Sequence, residues 1–181
     1  MSVTSDRYGD VWLVTVDRPQ VRNAVDPSVV AGLVTALDAA ENAAARSVVL
    51  TGAGSAFIAG GDLKLIRDSP FEQTLSLSRN MAALLDRFAS FPAPIIAAVN
   101  GPAFGGGAEV VTACDIRVAA PTARVSFRQV AMGLTTGWGA ACRLVGILPR
   151  GAATRLLLTA EVVTAHALRV GHGVDLAKNC D

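Results

Sequence analysis

The residues with the clearest chemical potential lie in one stretch, Asn100-Gly101-Pro102-Ala103-Phe104-Gly105-Gly106-Gly107-Ala108-Glu109. The apolar run Ile95 to Val99 leads into it as a buried strand, and Val110 to Cys114 follows as a helix. Three consecutive glycines at such a strand-to-helix turn serve little purpose in packing. They remove side chains so that a ligand can approach the backbone, and they leave N–H groups free at a helix N-terminus, where the dipole favours negative charge. Glu109 stands two residues beyond the last glycine, where its carboxylate can face the same space. Amide donors beside a carboxylate make an oxyanion hole with a general acid/base at its edge. A tight turn with a capping glutamate is the other reading of these residues.

A second small-residue turn follows another apolar strand, Val48 to Thr51. It reads Gly52-Ala53-Gly54-Ser55-Ala56-Phe57-Ile58-Ala59-Gly60-Gly61-Asp62-Leu63-Lys64, and again an acidic residue comes directly after glycines. Two donors on separate loops, one N–H from each, are what a polarised thioester carbonyl needs. Other glycine chemistries fit less well. Phe57 stands where a dinucleotide fingerprint needs its third glycine, no Gly-Lys-Ser/Thr is present, and Ser55 lacks the flanks of a nucleophile elbow. His166 and His172 are far from both turns in sequence, and His166 reads as a packed or surface side chain.

The elements that must position these turns alternate between strand and helix. Val3 to Tyr8 and Val11 to Val16, split by Gly9-Asp10, read as an opening hairpin. Arg18 to Asn23 is a polar loop. Asp26-Pro27 starts a helix, with Asp at the N-cap and Pro at the first helical position, and Val29, Val30, Leu33, Leu37 and Ala40 form its apolar face to near Ala45. A long helix spans about Phe71 to Ala89, with Leu75, Ala82, Leu85 and Ala89 at one spacing and Met81, Leu84 and Phe88 beside them; Pro92 and Pro94 stop it. Asp115 to Ala120 is a strand and Val125 to Phe127 a short edge strand. Arg128 to Trp138 is loop-rich, Ala140 to Val145, Arg150 to Leu158 and Thr164 to Val170 are helical by period, and Gly171 to Leu176 holds the last short strand. This order implies a layered α/β fold.

The 181 residues suggest one domain, 1–181, long enough to bury roughly 70% of its unfolded surface. With 51% hydrophobic and 5% aromatic residues, the core rests on Ala, Val and Leu. A net charge of +1 without a basic block argues against nucleic acid. No apolar run approaches a membrane span, and Met1 to Asp6 lacks the features of a signal peptide, so a cytoplasmic location is expected. Cys114, Cys142 and Cys180 have no metal or redox spacing, and no metal is expected.

The chain resembles the enoyl-CoA hydratase/isomerase (crotonase) superfamily. The resemblance is carried by Arg18-Pro19 with Asn23-Ala24, Ala56-Phe57 with Ala59-Gly60-Gly61-Asp62-Leu63, Asn100-Gly101 with Gly105-Gly106-Gly107-Ala108-Glu109, and Cys114-Asp115, in family order and spacing from about Val11 to about Asp175. It implies a crotonase-like spiral of ββα units with short perpendicular sheets. It implies an acyl-CoA substrate, with CoA part of that substrate and no separate cofactor. The Gly61 and Gly106 amides would hold the thioester oxygen as it becomes an enolate and should face one cavity; losing one such donor typically costs about 10²–10³ in rate. Arg22, Ala59, Asp62, Leu63 and Lys64 match positions that meet CoA. Trp138 is read as a pocket wall, a core position being the alternative. Homo-oligomers, as trimers or dimers of trimers, are implied too.

The resemblance breaks at two places. Family hydratases use two glutamates, one at the position of Glu109; partial burial between Ala108 and Val110 is expected to raise its pKa. Anchored on Gly133-Leu134, the second position falls at Gln129, with Arg128 in place of a proline. Gln has no titratable proton and can serve only as a hydrogen-bonding group. Arg128 could pair with a carboxylate or face solvent. This departure opens decarboxylation of a malonyl-type (ethylmalonyl or methylmalonyl) CoA, or isomerisation with Glu109 alone. Secondly, the sequence stops at Asp181, short of the helices that relatives add, so an inactive truncated member is a further alternative. Leu156, Leu157, Leu158, Val162 and Val163 are then expected to form an uncovered apolar patch that drives self-association.

Overall fold

The computed structural model describes residues 1–165, 167, 175 and 176. Strands β1 (Val3–Tyr8) and β2 (Val11–Val16) form the antiparallel hairpin expected from their β-rich runs on either side of Gly9-Asp10. Strand β3 (Ser47–Gly52) then pairs parallel to β2, β4 (Ile95–Val99) parallel to β3, and β6 (Ile116–Ala119) parallel to β4. With β9 (Asp175–Leu176) beside β6 they make a six-stranded sheet in the order β1-β2-β3-β4-β6-β9. Parallel neighbours require crossovers, and helices supply them.

A smaller sheet stands beside the first. Strand β5 (Pro102–Phe104) pairs parallel to β7 (Arg124–Ser126), and β8 (Val163–Thr164) pairs antiparallel to β7. Val125-Ser126 is thus in the central strand rather than an edge. Isolated parallel bridges, Ile58 to Ala103 and Val25 to Gly61, extend the same layer. After the opening hairpin, each turn of the chain adds one strand to the large sheet and one short strand or bridge to the small one. A helix then returns it: β3, Ile58, α2 (Leu63–Asp68) and α3 (Phe71–Ala89); β4, β5, α4 (Gly106–Ala113); β6, β7, α5 (Ala140–Ile147). This is the expected ββα spiral.

The helices follow their local signals. In α1 (Pro27–Asn42) the Asp26 carboxylate accepts from Val29 N at 3.0 Å, and Val29, Val30, Leu33, Ala36, Leu37 and Ala40 are buried. The helix stops at Asn42, short of Ala45, because Ala44 turns to φ 49°. Helix α3 matches its expected bounds, but its buried stripe is Leu77, Met81, Leu84, Leu85 and Phe88. Leu75 and Ala82 are half-buried and Ala89 exposed, because at about 3.6 residues per turn they lie to the side of the stripe that Leu77, Met81, Leu84 and Phe88 define. In α6 (Arg150–Thr159) Leu156 is buried and Leu157 half-buried, as is Val163. Of the five apolar residues expected to form an uncovered patch, only Leu158 and Val162 are exposed, at 66% and 45%. Of the expected 164–170 helix and 171–176 strand, only the residues named above lie among those described; His166, His172 and Cys180 lie outside them.

Candidate functional site

A buried and a half-buried asparagine, Asn23 and Asn100, set the first glycine turn. Asn23, fully buried in the left-handed region at φ 60°, donates its amide to the carbonyls of Ala53, Ala56 and Phe57 at 2.9, 2.8 and 3.1 Å, and its oxygen accepts from Arg18 N at 2.9 Å. Asn100 approaches from the end of β4 and donates to Gly52 O and Gly54 O at 2.8 and 2.9 Å. Both side chains do the work of absent sheet partners for a loop whose carbonyls point inward. Each is visible in the sequence as a polar residue next to a turn, but nothing local to it names its partners.

The chain that follows is stitched on both sides. Ala59 N donates to Arg22 O and Val25 N to Gly60 O, while Phe57 N donates to Pro102 O and Phe104 N to Ile58 O. Residues 57–62 therefore run between the 22–25 loop and β5, and the two glycine turns meet. A Cβ built on Gly60 would lie 3.1 Å from Gly106 N. Among the described residues, the Gly61 and Gly106 amides donate to no backbone acceptor. Gly106 opens α4, four residues earlier than the Val110 start read from the sequence, so its amide belongs to a helix N-terminus.

The glycines do pack, contrary to the expectation that they only clear space. A Cβ on Gly107 would fall 1.8 Å from the Ile58 carbonyl oxygen, and one on Gly101 2.1 Å from that of Ser55. A Cβ on Gly106 would fall 2.2 Å from Cζ3 of Trp138. Here glycine is required for close approach of backbone to backbone and backbone to ring.

Glu109 is 1% exposed, fully rather than partly buried, on the first turn of α4. Its Oε1 accepts from Gln129 Nε2 at 2.8 Å and Gly137 N at 3.2 Å; its Oε2 accepts from Trp138 N at 2.8 Å and Ala140 N at 3.1 Å. Burial pushes the carboxyl pKa up, and these four donors pull it back without cancelling the rise. Gln129 is also buried, in a 3-10 turn over Arg128–Met132, and its Oε1 has no partner among the described residues. The structure brings Glu109 and Gln129, which the resemblance assigned to one site, into contact; the three amides were missed because they come from residues 28 to 31 positions further on.

Trp138 is 7% exposed. Arg143 donates to its carbonyl, reaches Thr112 Oγ1 at 3.4 Å and pairs with Asp86 at 3.4 Å. The remaining candidates lie toward the surface. Arg22 and Lys64 are exposed, Ala59 is half-buried, and Leu63 is 57% exposed. Asp62 has a structural use: it accepts from Leu65 N at 3.2 Å as the cap of α2 and pairs with Arg18 at 3.3 Å. Arg128 is exposed, with its guanidinium 5.3 Å from the Phe104 ring centre. Burial pushes the Cys114 thiol up to about 12, which makes it a poor nucleophile. Among the described residues no group of three or more His, Cys, Asp or Glu could hold a metal, and no helix is long and apolar enough to cross a membrane.

Solved structures share this architecture. The chain superposes on an enoyl-CoA hydratase from Thermoplasma volcanium with a TM-score of 0.93 at 27% identity, covering 99% of this chain and 73% of that one. It superposes on one from Bacillus anthracis with a TM-score of 0.92 at 29% identity, covering 97% and 69%. The fold is therefore the crotonase fold. In sequence, the chain is 34% identical over 173 residues to a short-chain-enoyl-CoA hydratase of Clostridium acetobutylicum, covering 94% of this chain and 66% of that protein. It is 36% identical over 160 residues to a 2,3-dehydroadipyl-CoA hydratase of Escherichia coli, covering 88% and 62%. The profile of the Enoyl-CoA hydratase/isomerase family matches residues 6–174, and the chain belongs to that family. It spans slightly under two thirds of the length of these curated relatives.

Proposed function

We propose that this chain binds an acyl-CoA thioester and stabilises the enolate formed from it through the amides of Gly61 and Gly106. The observation that supports this most is the meeting of the two glycine turns, with both amides free of backbone acceptors. An oxygen placed between such donors gains most as it becomes negative, because the donors are already oriented. Arg22, Ala59, Leu63 and Lys64, on the exposed side, would meet the CoA portion, with Asp62 holding the start of α2. CoA arrives as part of the substrate, so no further cofactor is needed. The same reading takes the active form to be a homo-oligomer, trimer or dimer of trimers, located in the cytoplasm.

Among the described residues, Glu109 is the one carboxylate at the buried end. To carry a proton it must release at least one of its four donors. That occupancy, with Gln129 in the second position, favours a second reading, decarboxylation of a malonyl-type CoA. There the C–CO₂ bond breaks, its electron pair enters the enolate held by the two amides, and carbon is then protonated from water. No protein base is needed.

Mass spectrometry of the purified chain with enoyl-CoA and malonyl-type CoA substrates separates the two. Gain of water supports hydration and loss of carbon dioxide supports decarboxylation. A folded chain that neither binds nor converts any acyl-CoA overturns both.

A further inference from the structure

The reading above places a thioester carbonyl against the Gly61 and Gly106 amides. CoA leaves toward exposed Arg22, Leu63 and Lys64, so the acyl group points the other way, into the buried cluster of Glu109, Gln129 and Trp138. That end is already closed by an indole. A Cβ on Gly106 would lie 2.2, 2.3 and 2.7 Å from Cζ3, Cη2 and Cε3 of Trp138, and one on Gly61 would lie 4.0 Å from its Cζ2. The six-membered ring is thus seated on Gly106, where a side chain would not fit, and comes within ordinary contact range of Gly61, whose own Cβ position is crowded by Ile66 Cδ1 at 2.8 Å.

The backbone that carries the ring is held from three helices. From α4, Glu109 receives the Trp138 amide together with those of Gly137 and Ala140. From α5, Arg143 donates to the Trp138 carbonyl and is itself braced by Thr112 and Asp86. From α3, Ser78 Oγ donates to Gly137 O at 3.2 Å. With its backbone fixed in this way and its face on Gly106, the indole has little room to turn aside for a ligand while that clamp holds. A second feature of the same wall disfavours methylene groups. Gln129 Oε1 is buried without a partner, and covering it with alkyl chain would leave a buried acceptor permanently unpaired.

We propose that Trp138 is the specificity-determining residue of the acyl subsite, ending it within a few carbons of the thioester so that short acyl groups bind and long ones do not. This rests on the acyl-CoA reading given above. A hydrophobic pocket that lacks room for one methylene discriminates by about 10–200-fold, so a rigid ring in the path of several should do at least as much.

Titration calorimetry with butyryl-CoA and decanoyl-CoA, neither of which is turned over by hydration, tests it. The unmodified chain should bind butyryl-CoA at least about tenfold more tightly than decanoyl-CoA. In Trp138→Ala the decanoyl-to-butyryl affinity ratio should rise at least about tenfold, with Trp138→Phe between the two. A lost structural contact would weaken both ligands together and leave the ratio unchanged. Should Trp138→Ala fail to fold, Trp138→Phe and the Trp138 emission of a Trp12→Phe chain carry the test, since a ligand at the indole must change that emission. Equal binding of both ligands by the unmodified chain, an unchanged ratio in a folded variant, or unaltered Trp138 emission on butyryl-CoA binding overturns the role of Trp138 and leaves the acyl-CoA reading standing. No binding of either ligand by the folded, unmodified chain overturns both.

Discussion

The backbone amide of Trp138 donates to Oε2 of Glu109 at 2.8 Å, so a carboxylate on one helix positions the ring that covers that helix's own first glycine. The N-cap of α5 is Gly139, which has no side chain to accept from the helix's first amides. Glu109 supplies the missing acceptor from α4, collecting three amides at the positive end of α5. The residue that the sequence offered as a general base is, in the folded chain, first of all a clamp.

Glu109→Gln should therefore cost stability. One amide oxygen can replace Oε1, but the NH₂ group would face the Trp138 and Ala140 amides, donor against donor. The loss should be roughly 1–3 kcal/mol, read as a lower denaturation midpoint in urea. The size of the loss should depend on pH. Because burial raises the carboxyl pKa above its ordinary 4.5, the native chain binds this proton more tightly than the unfolded one. The wild-type contribution is then greatest below the ordinary value and falls as pH rises from there through the raised one. The gap between wild type and Glu109→Gln should narrow over that same window; a gap that widens with pH would contradict the cause assigned here.

The glycines should not be equivalent toward alanine. At Gly107 the added methyl meets a backbone oxygen at 1.8 Å, and little can move. At Gly106 it meets the Trp138 ring, which can tilt away if its clamp loosens. At Gly133 nothing lies within 4 Å, and only the positive φ of 69° is strained, costing about 1–2 kcal/mol. Soluble yield and denaturation midpoint should rank Gly107→Ala worst and Gly133→Ala mildest, with Gly106→Ala marked by a shift in tryptophan emission.

Asn23→Ala should lose at least about 2 kcal/mol, because it strands the buried carbonyls of Ala56 and Phe57, the part-buried carbonyl of Ala53 and the Arg18 amide. Asn23→Asp keeps the shape and tolerates the left-handed backbone better than Ala, yet it turns a carboxylate toward those carbonyls. Thermal unfolding should find Asp the more damaging of the two. The reverse order would assign the site to backbone strain instead of hydrogen bonding.

Arg18 joins the starts of two helices. It pairs with Asp26 at 3.1 Å, at the cap of α1, and with Asp62 at 3.3 Å, at the cap of α2. Burial pushes the Asp26 carboxyl up, but the Ser28 hydroxyl, the Val29 amide and the Arg18 charge together bring it below its ordinary 3.8. A depressed carboxyl pKa gives stability that is present above the ordinary value and lost as pH falls through the depressed one. Acid unfolding should accordingly steepen below pH 3.8, and Arg18→Met should flatten that limb while lowering stability at neutral pH.

Much of this protein is written locally. The N-cap and proline at Asp26-Pro27, the β-rich runs of β1 and β2 around Gly9-Asp10 and the prolines after α3 each depend on residues within one or two turns, so they were legible without a fold. The pairing of Glu109 with Gln129 was legible as well, through the anchor at Gly133. What Glu109 binds was not. Hydrophobic period tells which face is buried but not what is buried against it, and the carboxylate's amide partners arrive from the far end of a glycine-rich loop. The same limit hid the packing use of Gly101, Gly106 and Gly107, since a missing side chain carries no sign of whether ligand, backbone or indole will fill its place. Strands of two or three residues, such as β5 and β8, left no period to read, and they exist because neighbouring turns of the spiral offer them partners. Residue types set which groups could do chemistry here; only the closing of the spiral decided which of them would touch, and turned a proposed base into the anchor of a tryptophan.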